Sequence, residues 1–179
     1  PGASSSLEWS LDGIGLFPFC NEATGDALPR LAVLGVLSHD ERAPFRKAIR
    51  RTWAAPVDGF TDAPTGIMAR FVLRGIGTAQ HVRDEAMAHG DIVFLRAFAH
   101  QKRSSGPLLS LLLWFRCALR AWPGASMIGK GDDDVWAQLR STAAMLSQSL
   151  AALQLGRHDA PRMLWGYLER YYWDEDAHR

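Results

Sequence analysis

The sequence predicts an α/β domain built on a mostly parallel sheet with helices on both faces. Three observations predict it. Short apolar runs alternate with segments of helical period along residues 30–155, the pattern of repeated strand–helix units. The first of these runs, Leu31–Leu37, is continuously apolar, as a strand covered on both faces must be. The fourth, opening at Ser126, ends in three adjacent carboxylates, Asp132, Asp133 and Asp134, where open sheets of this class bind ligands.

The bounds are simple. A chain of 179 residues is long enough for one such domain and its core. The formal net charge of +1 gives no support to a nucleic-acid or anionic-membrane partner. The longest apolar run, Pro107–Phe115, is too short to cross a bilayer and is closed by Arg116. No signal peptide is visible, and a start at Pro1 rather than Met is read as a fragment or trimmed chain. Two cysteines, Cys20 and Cys117, are able to pair in an oxidising compartment.

In chain order, residues 1–29 lack a period and are expected to be an N-terminal extension or stem-like segment, with the domain proper over 30–179. After the Leu31–Leu37 strand, Ser38 or Asp40 is expected to cap a helix over Arg42–Trp53, with Pro44 in its first turn and Phe45, Ala48, Ile49 and Thr52 towards the sheet. Arg46 and Arg50 stand one turn apart on that helix. They are either a solvated face or cations for a diphosphate or an acidic strand end, and spacing alone leaves both open. Residues 54–67 read as loop, Met68–Leu73 as a second strand, and Thr78–His89 as a helix stopped by Gly90. Gly75 and Gly77 lack the third glycine of a dinucleotide fingerprint. Asp91–Phe98 is expected to be the third strand, His100–Gly106 a basic loop, and Pro107–Trp122 an apolar core helix carrying Cys117. The fourth strand is expected to be buried and to break at Gly129 and Gly131. A helix from about Val135 to Leu155, a strand over Met163–Leu168 and an acidic, aromatic end complete the reading.

Adjacent carboxylates repel, so three together need a counter-charge or full hydration. A divalent ion with oxygen ligands meets that need, and one held by few carboxylates shares itself with phosphate oxygens. An isoprenoid-synthase DDxxD needs an acid at 136, where Trp136 stands; an EF-hand needs a twelve-residue loop closed by Glu. A haloacid-type phosphatase places its acids after the first strand. Asp132-x-Asp134 instead fits the Asp-x-Asp of a nucleotide-sugar transferase, where a metal stabilises the departing diphosphate.

Three segments carry a resemblance to a known family. Arg46-Lys47-Ala48-Ile49-Arg50-Arg51-Thr52-Trp53 is similar to R-x-A-I-R-x-T-W. Glu85 through Gly90-Asp91-Ile92 is similar to E…GDI, and Lys130-Gly131-Asp132-Asp133-Asp134-Val135 to K-x-D-D-D-V, with Phe71-Val72-Leu73-x-Gly75 where F-L-L-G is found. In this order the motifs resemble the β-1,3-galactosyltransferases, glycosyltransferase family 31, over about residues 30–140. The resemblance implies a GT-A (Rossmann-like) fold, incomplete here at its C-terminal end, and an inverting hexosyltransferase using a UDP-sugar donor and Mn²⁺ (or Mg²⁺). It implies a glycan or glycoprotein acceptor and a luminal Golgi location, with membrane attachment only through an anchor absent from this chain. By motif, Asp134 would be the direct metal ligand, and Asp132 would support metal and donor. Arg46, Arg50, Asp91, Lys130 and Asp133 would line the donor site. The chain has His100–Pro107 where the family has D-x-Y-x-N-L-T-x-K-T, and no counterpart of the later E-D-V segment that carries the catalytic base. The catalytic residue therefore stays unassigned. The rival readings are a non-catalytic UDP-binding module of the same fold and a phosphate-transferring α/β enzyme.

Overall fold

The computed structural model describes residues 27–54, 65–74, 79–95, 106–154, 163–164 and 166. Several expectations lie outside them: nearly all of the N-terminal extension, most of the 54–67 loop, Gly75 and Gly77, the end of the third strand, the basic loop up to residue 105, most of 163–168 and the acidic end.

Four strands form one all-parallel sheet: β1 (Arg30–Ser38), β2 (Ile67–Arg74), β3 (Ile92–Leu95) and β4 (Ala125–Asp132), in the order β3-β2-β1-β4. The helices are α1 (Ala43–Arg51, after a 3-10 turn at Asp40–Arg42), α2 (Gln80–His89), α3 (Gly106–Ala121) and α4 (Leu139–Gln154). From β1 the chain moves outward through β2 to β3, then returns to place β4 on the other side of β1. That reversal of direction makes the carboxyl ends of β1 and β4 the switch point where a crevice opens.

Successive strand residues point to opposite faces, and the core divides accordingly. Val33, Met68, Val72, Val93 and Leu95 pack with Leu113, Trp114, Cys117 and Ala118 of α3. On the other face Val36, Phe71, Leu73 and Ile92 meet Ile49 of α1 and Val82 of α2, while Ala32 and Ile67 meet Leu139, Ala143 and Leu146 of α4. The indole of Trp114 lies directly on Gly35, where a Cβ would come within 2.2 Å of the ring. Its Nε1 donates to the carbonyl of Gly129 at 2.8 Å, so one buried side chain braces β1 and β4 together.

The structure corrects several expectations. The fourth strand does not break at Gly129 or Gly131 but runs unbroken to Asp132. A side chain at Gly129 would press on Leu34, whose Cδ1 is 3.1 Å from a Cβ there, whereas a Cβ at Gly131 would meet it only in ordinary contact at 3.9 Å. Nor is it deeply buried, because it is the edge strand of the described sheet. The last helix begins at Leu139 rather than Val135, after a turn in which Val135 N donates to the Asp132 carbonyl. On α1, Ile49 faces the sheet but Phe45, Ala48 and Thr52 are exposed, and Arg46 takes the inward position instead. Neither Ser38 nor Asp40 caps the helix by its side chain. Gly90 ends α2 as expected, in the left-handed conformation at φ 64°. Cys117 is fully buried and disulfide-bonded, so it is more than a small apolar group; the chain's other cysteine, Cys20, lies outside the described residues. Met163 and Leu164 carry no regular structure.

Candidate functional site

Parallel pairing sets Leu37 opposite Asp132, so the end of β1 and the acidic turn after β4 arrive side by side. The three acids then diverge. Asp133 turns inward, is 7% exposed, and accepts a 2.6 Å hydrogen bond from the Ser38 hydroxyl. Arg42 Nη1 lies 3.8 Å from its other oxygen. Asp132 and Asp134 face outward, and Asp132 is held at 2.8 Å by Lys130 Nζ. Pinning the middle acid fixes the turn and thereby the directions of its two neighbours. Beside them opens a cleft of about 220 Å³ whose polar lining is Ser38, His39, Arg42, Arg74, Ser110 and the three aspartates.

A second polar cluster joins this one through Ser38. Arg46 is fully buried; its Nη1 donates to Ser38 Oγ at 3.0 Å and to the His39 carbonyl. Its Nε and Nη2 grip Glu85 at 2.9 and 2.6 Å. Arg50 donates to Glu85 at 2.7 Å and grips Asp91 with two bonds of 2.7 and 2.8 Å, while its guanidinium lies 4.7 Å from the Phe71 ring centre. The three motif segments are therefore one hydrogen-bonded chain, Asp133–Ser38–Arg46–Glu85–Arg50–Asp91. Arg46, Arg50, Asp91 and Lys130 do not themselves line the cleft. Asp91 stands just before the first residue of β3, not at a carboxyl strand end.

Burial disfavours the charged form of Glu85, yet the hydrogen bonds and charges of Arg46 and Arg50 outweigh it and hold the carboxyl below its ordinary range. Burial likewise works against the charged form of Arg50, and its bonds to Asp91 and Glu85 reverse that effect, leaving its pKa raised. A depressed carboxylate pKa adds stability that is complete above the unfolded value, about 4.3, and is lost as pH falls through the lower folded value. Thermal melts below about pH 4.5 should therefore show a steep loss of stability that Glu85→Gln flattens. An unaltered acid limb in that variant would remove Glu85 from this role.

Residues 45–163 match the family model described as galactosyltransferase. The chain belongs to the β-1,3-galactosyltransferase family. No curated protein matches it. The parallel α/β sheet is accordingly the Rossmann-like GT-A arrangement, and a member of this family is a glycosyltransferase, with a sugar donor and a glycan acceptor.

The acids of this glycosyltransferase stand along an open rim rather than in a closed cage. Among the described residues no group of three metal-ligating side chains converges on one point. Asp132 and Asp134 instead stand exposed at the rim of a cleft, where the residues that could share an ion with water or phosphate are these two. Sequence reasoning gave Ser38 the wrong task and passed over Arg42, Arg74 and Ser110 as cleft residues. The available signal was positional: Ser38 and Arg74 close parallel strands, and such ends line the crevice.

Proposed function

We propose that this chain is a metal-dependent, inverting hexosyltransferase that moves galactose or N-acetylglucosamine from a UDP-sugar to a glycan or glycoprotein acceptor. The carrying observation is the outward pair Asp132 and Asp134, set on a turn that the buried Asp133–Ser38 bond holds still, beside a cleft at the switch point. Asp134 would hold the Mn²⁺ (or Mg²⁺), and Asp132, steered by Lys130, would support the ion and the donor. When bound, that ion supplies positive charge to a departing diphosphate. The protein's own contribution is preorganisation: acids aimed beforehand need no rearrangement as charge develops. Inverting transfer also needs a base for the acceptor hydroxyl, a role this reading gives to no described residue.

The family resemblance supports a luminal Golgi location, and the disulfide-bonded Cys117 agrees with an oxidising compartment. Among the described residues no helix is long and apolar enough to cross a membrane, so attachment would use an anchor outside them.

Calorimetric titration with UDP, in Mn²⁺ and then in EDTA, tests the reading, followed by a donor-hydrolysis assay. UDP should bind in Mn²⁺ and weaken by about tenfold or more in EDTA. Equal affinity in both would refute metal dependence, and binding without turnover would favour a non-catalytic UDP-binding module.

A further inference from the structure

The arginines that the motif pattern offers to a diphosphate are already occupied: Arg46 by Glu85 and Ser38, Arg50 by Asp91 and Glu85. The guanidiniums that line the cleft are two others, Arg42 and Arg74. Arg42 stacks 4.4 Å over Phe45 and leans towards Asp133. Arg74 differs from the rest. It is half-buried at the last position of β2, and among the described residues it makes no hydrogen bond or ion pair. Arg30, Arg46, Arg50 and Arg70, other buried or half-buried arginines of the domain, each donate to a carboxylate or a carbonyl. A cation drawn partly out of water without a counter-charge is costly unless a ligand supplies the anion.

Strand order places that anion. β2 and β4 flank β1, with Leu73 opposite Ser38 and Asp132 opposite Leu37. Arg74 and the outward acids thus stand on either side of the end of β1, two strand spacings or about 10 Å apart. No ion pair joins Arg74 to either acid across the cleft they share, which leaves its guanidinium open to a bridging anion. We infer that Arg74 is the diphosphate-binding cation of this cleft, gripping a nucleoside diphosphate from the β2 side while Asp132 and Asp134 hold its metal from the β4 side. The inference rests on the donor reading above and adds a residue that no motif assigns. A guanidinium binds phosphate through two parallel N–H donors, which a lysine does not reproduce.

Titrations of the whole chain in Mn²⁺ with UDP, uridine and inorganic pyrophosphate test it, alongside thermal melts. Arg74→Ala should lower UDP and pyrophosphate affinity by about 10- to 100-fold, the loss of one charge-assisted contact. Uridine affinity and melting temperature should stay put, and Arg74→Lys should recover part of the loss. Undiminished UDP affinity in Arg74→Ala, with the wild type binding UDP, overturns the role of Arg74 and leaves the donor reading standing. An equal fall for UDP and uridine overturns it too, by placing Arg74 on the nucleoside. A wild type that binds no UDP overturns both.

Discussion

Replacing Arg46 with methionine is expected to destabilise the domain by about 3–5 kcal/mol, the cost of removing one partner from a buried ion pair. Methionine fills much of the space but donates nothing. Glu85 keeps only its bond to Arg50, and Ser38 and the His39 carbonyl lose the donor that ties them to α1. The effect should appear as a large drop in the urea midpoint with an unchanged slope. Arg46→Lys should recover only part of it, because a point charge cannot grip Glu85 with two parallel bonds. A loss under about 1 kcal/mol would mean that the pair merely breaks even against packed hydrocarbon.

The acids of the turn should separate by function. Asp134→Ala is expected to lower metal-dependent transfer by about 100-fold or more, with stability changed by less than about 0.5 kcal/mol, since an exposed carboxylate without structural partners contributes little. Asp133→Ala should do the reverse in kind, costing fold stability first, because it leaves the Ser38 hydroxyl and Arg42 facing an empty buried position. Metal-dependent UDP affinity and thermal melts on both variants distinguish them. Unchanged UDP affinity in Asp134→Ala would remove that residue from the metal site.

Much of this arrangement was legible in the residues. A continuous apolar run located β1, a mostly apolar run ended by Gly75 and Gly77 located β2, helical period located the helices, and Gly90 marked a helix end, because each signal is local. The acids were placed at a strand end for the same reason. What stayed hidden depends on distant pairing. Nothing near Arg46 says that it faces inward; only Glu85, thirty-nine residues on, makes burial of a guanidinium tolerable. Ser38 looked like a helix cap because its partner, Asp133, lies ninety-five positions away. The glycines of β4 read as breaks, yet the strand runs through both, and at Gly129 the missing side chain is a matter of clearance under Leu34 rather than of termination.

The return of β4 to the side of β1 also bears on how the protein comes into being. As the chain emerges from the ribosome, β1, β2 and β3 are all made before the first of the three acids is translated. Until β4 arrives, one flank of β1 offers unpaired amides beside apolar side chains, the kind of surface that recruits chaperones or sticks to a neighbour. The strand that brings the chemistry is thus also the one that seals that flank. A nascent chain halted before residue 125 would lack both, and its tendency to aggregate would rise together with its loss of any binding capacity.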